Sequence, residues 1–483
     1  MDMDIITIVF SFVLFLNIFL AAVIIFLEKR NVAATWAWVL VLLFLPVIGF
    51  VLYLVIGQNL SRRKIFHITD ADRKMVQTRV EEQKNLLDRK AFPYKQSCMS
   101  AYDDLIYMNL INAHALLTQD NQVHIYTSGN AKFEALLQCI AEAKDHIHVQ
   151  YFIIKNDGIG RKIIQALAEK AKQGVEVRVL YDDTGSYRLS SKFFRPLIEA
   201  GGEVAAFFPS KIPVLNFRIN YRNHRKMVII DGRYGFVGGF NIGDEYLGLD
   251  KRFGFWRDTH LKLQGSAVDH LQFRFYLDWN SAAENKLTHD RRYFPPKKAF
   301  GETAVQIVSS GPESDWEQIK NGFIRMIYSA KETIYIQTPY FVPDESVIHA
   351  LKIAALSGID VRIMIPNRPD HMFVYWASYS YIGDLLDAGV RSYIYDAGFL
   401  HAKTIVVDGL IASVGTANFD MRSFKLSFEV NAFIYDRTVA KELHHIFETD
   451  LLRSRELTPD MYARRSIVIK FKESISRLLS PIL

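Results

Sequence analysis

Two long apolar runs occupy the first sixty residues of the chain. Residues 5–27 are almost wholly apolar, and residues 36–56 form a second such run. Each run is long enough to cross a bilayer, and a short polar segment at 28–31 separates them. The pattern therefore predicts a two-helix transmembrane hairpin over residues 1–60.

A cleaved signal peptide is the alternative interpretation of the first run. The N-terminus carries Asp2 and Asp4 where a signal peptide has basic residues, no small-residue cleavage site follows, and another apolar run comes at once. The segment after the second run is more basic than the hairpin link, beginning with Arg62, Arg63 and Lys64. The positive-inside rule therefore predicts a multi-pass protein of the cell membrane, with both termini and the large domain on the cytoplasmic side.

The rest of the chain has the pattern of an α/β protein. Residues 61–100 are charged and rich in Gln, which predicts a helical connector with a solvated face. After it, β-branched apolar runs alternate with amphipathic helical stretches. Because 483 residues exceed a single ordinary core, we expect two domains, over residues 101–290 and 291–483.

The two halves repeat one another. Gly174 and Gly358 each end a predicted helix before a buried strand, and Gly201 and Gly389 end the next helix in the same way. Each half then continues into a strand and a hairpin. The predicted fold class is α/β, with two pseudo-twofold-related domains that are each a mixed β-sheet flanked by helices, preceded by the transmembrane hairpin.

A His-x-Lys-x4-Asp motif occurs once in each half. Its members are His224, Lys226 and Asp231 in the first copy and His401, Lys403 and Asp408 in the second. One copy could arise by chance, or as a surface histidine at a strand end. Two copies, each followed by the same small-residue turn, favour a single active site built from both halves.

The turn after each motif ends in an asparagine, Asn241 or Asn418, seventeen residues beyond the histidine in both copies. His and Lys are two positions apart on an extended segment, so they project toward the same face. Asp231 and Asp408 each precede a glycine and fit a hairpin turn. The aspartates are therefore predicted to be mainly structural, with direct catalysis the less favoured alternative.

Two His, two Lys and two Asn suit phosphodiester chemistry. The lysines and amides would donate to the non-bridging oxygens, while one neutral imidazole attacks phosphorus and the other protonates the leaving alkoxide. No metal and no cofactor are expected, because neither Cys98 nor Cys139 matches a metal-ligand spacing, and Asp182 with Asp183 is more typical of a turn.

Each imidazole also requires a carboxylate to orient it. Glu429 lies on the strand that follows the second motif, and Asp258 occupies the corresponding position in the first half. An exposed strand carboxylate is the alternative interpretation. A charged residue inside an otherwise apolar or aromatic strand favours the orienting role for both.

These paired motifs with their Gly-x-x-Asn turns resemble the phospholipase D superfamily. The N-terminal hairpin followed by the duplicated domain is similar to the bacterial cardiolipin synthases, as are residues 221–226 and 399–403. The resemblance implies two phospholipase D-like domains that transfer a phosphatidyl group between two phosphatidylglycerol molecules, giving cardiolipin and glycerol. It also implies a phosphatidyl-histidine intermediate, with His224 as the nucleophile and His401 as the acid and base.

One position departs from the superfamily pattern. The residue two places before the asparagine is often serine there, but it is Gly239 in the first copy and Thr416 in the second. Threonine keeps the hydroxyl, whereas glycine removes any side-chain hydrogen bond. A hydroxyl role is therefore not expected in the first half.

Two rival functions use the same motifs. A phospholipase D hydrolase would use water as the acceptor, and a membrane-tethered nuclease would require a basic groove lined with aromatic residues. The net charge is only +6, and basic residues cluster near the membrane and at residues 464–477. Phosphatidylglycerol and anionic membrane lipid are therefore the expected partners, without nucleic acid, and the oligomeric state stays open. The C-terminal cluster predicts either a basic amphipathic segment on anionic lipid or a final strand and helix packed on the second half.

Overall fold

The N-terminal part of the chain is only partly described. The computed structural model describes residues 2–27, 32–45, 48–49, 53, 65–66, 68–209, 220–297 and 299–480. Helices α1 (Asp2–Leu27) and α2 (Val32–Phe44) overlap the two apolar runs and begin three to four residues before them. The predicted hairpin link at 28–31 and the basic residues at 62–64 lie outside the described residues. Among those that are described, no helix is both long and apolar enough to span a membrane.

A first mixed sheet is built from strands in the first half of the chain. Its strands are β1 (Thr118–Ser128), β2 (His146–Tyr151), β3 (Glu176–Asp182), β4 (Glu203–Phe207), β6 (Met227–Ile230), β7 (Tyr234–Gly238) and β8 (Trp256–Gln264), while β5 (Arg222–Asn223) pairs elsewhere. The spatial order is β4-β3-β2-β6-β7-β8-β1, parallel over the first three strands and antiparallel over the rest.

A second sheet repeats this order. Its strands are β9 (Thr303–Ser310), β10 (Thr333–Gln337), β12 (Asp360–Pro366), β13 (Arg391–Tyr395), β15 (Thr404–Val407), β16 (Ile411–Gly415), β18 (Ser427–Tyr435) and β19 (Ser454–Glu456), and the short β11 (Phe341–Val342), β14 (Phe399–Leu400) and β17 (Phe419–Asp420) lie outside it. The order β13-β12-β10-β15-β16-β18-β9 matches the first sheet strand for strand, with β19 added at the edge. The predicted mixed α/β fold in two repeated lobes is confirmed.

Helices cover the sheets. They are α3 (Asp70–Asp88), α4 (Asp103–Ala113), α5 (Gly129–Glu142), α6 (Gly158–Lys172), α7 (Arg195–Glu199), α8 (Ala267–Ala282), α9 (Gln318–Ser329), α10 (Glu345–Leu356), α11 (Met372–Leu386), α12 (Met421–Lys425), α13 (Arg437–Leu451), α14 (Pro459–Ala463) and α15 (Ile467–Leu478). The charged connector does form a helix, α3, with a mostly exposed surface.

The two lobes share one interior. β1 pairs antiparallel with β9 across the lobe boundary. Leu261 and Leu263 of the first lobe lie in the same buried cluster as Val414 and Val430 of the second. Burial of this shared apolar surface holds the lobes together and fixes how their facing edges meet.

Helix α4 departs from the domain division made from the sequence, which placed residues 101–290 in the first lobe. Its buried residues Leu105, Ile106 and Leu110 belong to the core that contains Phe323 and Met326 of the second lobe. The apolar face of α4 finds its complement on α9 rather than on the first sheet. The segment from 101 to about the start of β1 therefore packs with the second lobe.

Candidate active site

Each His-x-Lys sequence lies immediately before a central strand, β6 or β15, at the edge where the lobes face each other. The backbone N–H of His224 donates to the carbonyl of Phe428 at 3.0 Å, and that of His401 donates to the carbonyl of Arg257 at 2.7 Å. Short parallel pairings of β5 with β18 and of β14 with β8 continue these contacts. The backbone of each motif histidine is thus held by the opposite lobe.

The orienting carboxylates are also exchanged between the lobes. His224 Nδ1 lies 2.8 Å from Glu429 Oε1, and His401 Nδ1 lies 2.6 Å from Asp258 Oδ2. Each acid was predicted from its place on the strand after the motif of its own half, without an assigned histidine. The structure pairs each acid with the histidine of the other half, because the lobes meet face to face along these strands. Both imidazoles use Nδ1 for this bond, which leaves each Nε2 for the substrate.

The two motifs form one electrostatic unit. Burial lowers the pKa of His224 to about 4, against the opposing influence of Glu429, and the positive charges of Lys226 and Lys403 lower it further. Lys403 belongs to the other motif, so its influence on His224 reflects the proximity of the two copies. Burial likewise lowers the pKa of His401, with Lys403 adding to the effect. These effects favour neutral histidines near pH 7.

The pKa values of the two orienting carboxylates are also lowered, which keeps these groups charged. Burial alone would raise the pKa of Glu429, but the charge and hydrogen bond of His224 overcome it, and the pKa is lowered. Asp258 behaves in the same way, with Lys403 and His401 lowering its pKa against burial. Both acids are thus held as anions that can stabilise a positive imidazolium on the neighbouring ring.

Both motif lysines are buried and point back at their own histidines. Lys226 Nζ donates to the carbonyl of His224 at 2.6 Å, and Lys403 Nζ donates to that of His401 at 2.5 Å. Burial lowers the pKa of Lys226 to about 7 and that of Lys403 to about 8. An anionic phosphodiester in this site would favour the charged form of both ammonium groups.

The motif aspartates hold turns. Asp231 has φ 52° and Gly232 has φ 58°, while Asp408 and Gly409 have φ 53° and 59°. Positive φ at both central residues is the type I′ hairpin that an Asp-Gly pair favours. The Asp231 carboxylate accepts backbone N–H groups from residues 144, 145 and 146, and Asp408 accepts the same three from residues 331, 332 and 333.

Replacing Asp231 by alanine is expected to destabilise the first lobe rather than to stop the chemistry. The loss of three N–H acceptors, together with strain at a positive φ, should lower the free energy of unfolding on the order of 2 kcal/mol. Thermal unfolding and kcat per folded molecule would be measured on the detergent-solubilised chain. Asp231→Asn is the matched control, because asparagine tolerates the left-handed conformation and keeps an acceptor. A large loss of kcat with unchanged unfolding would instead assign Asp231 to catalysis.

The turn asparagines have structural partners of their own. Asn241 Oδ1 accepts from the N–H of Ile153, and its amide donates to the Tyr246 hydroxyl at 3.0 Å. The Asn418 amide donates to Asp420 at 3.1 Å, and its Oδ1 has no hydrogen-bond partner among the described residues. Binding of phosphate oxygens by these amides stays a prediction.

The glycine that departs from the superfamily pattern is explained by a close approach. A Cβ on Gly239 would lie 1.9 Å from Asp258 Oδ1, so no side chain fits there. In the other lobe, the Thr416 and Ser423 hydroxyls donate to the two oxygens of Glu429. The carboxylate beside His224 thus has one hydroxyl donor from its turn and one from α12, whereas Gly239 supplies none to Asp258.

Two arginines that were not predicted from the sequence support the backbone beside these carboxylates. Arg225, between His and Lys of the first motif, forms a buried ion pair with Asp278 at 2.8 Å, and its Nε donates to the carbonyl of Glu429 at 3.1 Å. Arg257, next to Asp258, pairs with Asp450 at 2.8 Å.

A sequence signal for these pairs was present. Asp278 and Asp450 each follow a phenylalanine by three positions on the helix after the acid-bearing strand, Phe275 in one half and Phe447 in the other. Both arginines come from the first half, Arg225 from the motif and Arg257 from the acid-bearing strand, and only the structure shows that the pairs correspond.

Asp182, which could be imagined from the sequence as a cation ligand, accepts hydrogen bonds from backbone N–H groups. One of its oxygens accepts the N–H of Gly185 at 2.8 Å and the other accepts the N–H of Asn223 at 2.7 Å. Burial raises its pKa to about 6 against these bonds. Asp182 therefore anchors β5, the two-residue strand that leads into His224.

The repeated fold and the crossed pairs of histidine and carboxylate define a two-lobed enzyme of the phospholipase D superfamily. The chain belongs to the family described as "Cardiolipin synthase, PLD-like domain", whose model matches residues 136–255 and 323–451. A second family model, "Phospholipase_D-nuclease N-terminal", matches residues 15–58.

Two relatives cover nearly the whole chain. The major cardiolipin synthase of Bacillus subtilis is 57% identical over 482 residues, which are 100% of both chains. The cardiolipin synthase of Listeria welshimeri is 54% identical over 471 residues, 97% of this chain and 98% of that one. Among solved structures, the phosphatidylserine synthase of Haemophilus influenzae matches 75% of this chain and 95% of its own, with a TM-score of 0.59 and 15% identity. That last likeness concerns the fold.

Proposed function

We propose that this chain is a cardiolipin synthase, a phosphatidyltransferase that converts two phosphatidylglycerol molecules into cardiolipin and glycerol. The proposal rests on sequence identities of 57% and 54%, over nearly the full length, with cardiolipin synthases from two genera. The crossed, buried pairs of histidine and carboxylate provide chemistry that fits this reaction.

In the first half-reaction, Nε2 of His224 attacks the phosphorus of one phosphatidylglycerol. The N–P bond forms and the bond from phosphorus to the glycerol oxygen breaks, while His401 gives its proton to the departing glycerol. Burial and Lys403 lower the pKa of His401, and the negative charge of the bound diester opposes them by favouring the protonated form. Glu429 stabilises the positive charge that develops on His224.

In the second half-reaction, the terminal hydroxyl of a second phosphatidylglycerol replaces the glycerol. His401, now neutral, takes the hydroxyl proton as the oxygen attacks phosphorus and the N–P bond breaks. Lys226 and Lys403 balance the charge on the non-bridging oxygens in both steps. The product is cardiolipin, and His224 is regenerated.

The lipid substrates imply a site at the surface of the cell membrane. The apolar runs at 5–27 and 36–56 would form the anchoring hairpin, and the family match at residues 15–58 covers most of that segment. The basic residues that follow would keep the catalytic lobes on the cytoplasmic side by the positive-inside rule.

A product analysis separates synthase from hydrolase. The full-length chain in phosphatidylglycerol liposomes, with a chelator and without cytidine nucleotide, is expected to form cardiolipin and glycerol in equal amounts. Mass spectrometry of the lipids and an enzymatic glycerol assay would give the ratio. Phosphatidic acid as the sole lipid product would instead establish a hydrolase, and cleavage of single-stranded DNA without lipid turnover would establish a nuclease.

The pH dependence of kcat/KM is expected to be bell-shaped. Below about pH 4 the nucleophile His224 becomes protonated. On the alkaline side, His401 loses the proton that it gives to glycerol at a pH below the ordinary pKa of histidine, and above about pH 7 to 8 first Lys226 and then Lys403 lose the charge that binds the diester. Lys226→Arg should make the decline above about pH 7 shallower, because guanidinium stays charged. Initial rates across the pH range would be fitted for both chains. A decline above about pH 7 that is unchanged in Lys226→Arg would contradict the role of Lys226.

A further inference from the structure

Helix α15 packs on the second lobe with its polar side. The side chains buried against the lobe are Glu473 and Ser476, while the opposite face carries Ile467, Val468, Phe471, Ile475 and Leu478. Ile467 is 83% exposed, Phe471 66% and Leu478 77%. A surface helix of a water-soluble domain ordinarily turns its apolar stripe toward the core. This helix does the reverse.

Specific contacts fix this orientation. Arg465 lies 2.9 Å from the buried Glu473, and Arg477 lies 2.5 Å from Asp384 on α11. The hydroxyl of Ser466 caps the N-terminus by accepting the N–H of Ile469. Asp384 of the lobe holds Arg477, and Arg465 of the segment just before the helix holds Glu473, so turning the apolar face inward would break these bonds. Its exposed apolar surface is built into the fold.

The charges beside this stripe favour an anionic lipid surface as its occupant. Lys470 and Lys472 are exposed on the same helix, and Arg464 is exposed just before it. A helix with an outward apolar face and flanking lysines binds at the boundary of headgroups and acyl chains, with the cations at lipid phosphates. The face of a protein partner would not require this basic border.

The stripe is connected to the active site through α11. Helix α15 packs along α11, where Lys472 Nζ lies 5.3 Å from the centre of the Trp376 ring. The N-terminus of α11 carries Met372 and Phe373, both more than half exposed, two and three residues after Asp370. The negative charge of Asp370 acts on both His401 and Lys403. The exposed apolar surface on these two helices therefore extends toward the catalytic pocket.

We infer that α15 is a membrane-docking helix whose apolar face inserts into the surface of an anionic bilayer while Lys470 and Lys472 contact lipid phosphates. Docking at this helix would hold the second lobe against the lipid surface, with the mouth of the active site turned toward it. The identity of the lipid as substrate rests on the proposed function, whereas the insertion itself does not.

The insertion can be measured without any activity. An environment-sensitive fluorophore would be attached to Phe471→Cys in the full-length chain, with Cys98 and Cys139 replaced by serine and alanine. In phosphatidylglycerol-containing liposomes, we expect a blue-shifted emission that nitroxide-labelled lipids quench. The same label at Leu356→Cys is the matched control. Leu356 is 74% exposed at the end of α10, where the parallel strand β12 is about to begin, away from the catalytic edge.

Two results would overturn the inference. An aqueous emission at position 471 equal to that at 356 would show that the helix stays in water. A shielded label that lipid nitroxides do not quench would show that protein, for example a second copy of the chain, covers the face.

A second experiment tests the consequence for activity. The double variant Ile467→Glu with Phe471→Glu is expected to lose about tenfold or more of its activity on phosphatidylglycerol in liposomes, because two charges oppose insertion. It should keep its activity on a short-chain, monomeric phosphatidylglycerol, and Leu356→Glu should keep both. Equal activity on liposomes would overturn the docking role. Failure of the unaltered chain on both substrates would count against the proposed function and leave the fluorescence result standing.

Discussion

The His401→Ala chain is expected to release one equivalent of p-nitrophenol from a phosphatidyl p-nitrophenol in a rapid burst and then to stall. p-Nitrophenolate leaves without protonation, so the first half-reaction no longer needs His401, whereas the second still needs it to deprotonate the incoming alcohol. The His224→Ala chain is expected to show no burst, because the nucleophile is gone. On phosphatidylglycerol, His401→Ala should lose about 10²–10⁴-fold in kcat. Rapid-mixing absorbance would give the burst amplitude per enzyme.

The trapped intermediate gives an independent check of this prediction. With a phosphate-labelled substrate, the stalled His401→Ala chain should retain one label per molecule, stable in alkali and released by acid, as a phosphorus–nitrogen bond requires. An acid-stable label would contradict a phosphohistidine. A burst from His224→Ala and none from His401→Ala would exchange the roles of the two histidines and leave the two-step mechanism in place.

The second large effect concerns the crossed carboxylates. Glu429→Gln is expected to remove the burst as His224→Ala does, and Asp258→Asn is expected to keep the burst and slow turnover as His401→Ala does. Each substitution removes the negative charge that orients and stabilises one imidazole, at a cost of about 10²–10⁴-fold in kcat. The same burst assay and steady-state kinetics on phosphatidylglycerol would be compared for the four variants.

The comparison holds whichever histidine is the nucleophile. Each acid should share the phenotype of the histidine in the opposite lobe, 205 residues away for Glu429 and 143 for Asp258. Both substitutions are isosteric, so thermal unfolding should show whether the fold is kept. If Asp258→Asn instead matched His224→Ala, pairing within each half would be correct and the observed geometry would not be the working one.

Local structure could be predicted from the sequence because it depends on residues that are close together in the chain. The Asp-Gly pairs predicted the hairpin turns at residues 231 and 408, and the positive φ values there confirm them. The repeat of strands and helices predicted two lobes of mixed sheet, which the matching strand orders confirm. Periodicity and turn residues reflect spacings of two to four positions, and these spacings are fixed by backbone geometry.

Long-range pairing could not be read in the same way. Glu429 and Asp258 could be predicted as orienting acids from their place on an apolar strand, but the histidine that each contacts could not. Arg225 and Arg257 each form a buried ion pair with an aspartate, but they do not occupy corresponding positions in the repeat. Alignment of the two halves therefore did not reveal them. Helix α4 illustrates the same limit, since its apolar face fits either lobe by pattern and packs on the second.

The sequence by itself determined the class of chemistry, because two copies of His-x-Lys with an orienting acid can be recognised from residue types and spacing alone. It also determined the duplicated α/β architecture. Only the tertiary structure decided that the acids cross between lobes and that the apolar face of α15 points outward. The physical reason is common to both: partner choice depends on which surfaces meet when the lobes pack, and that is a property of shape and charge over hundreds of residues.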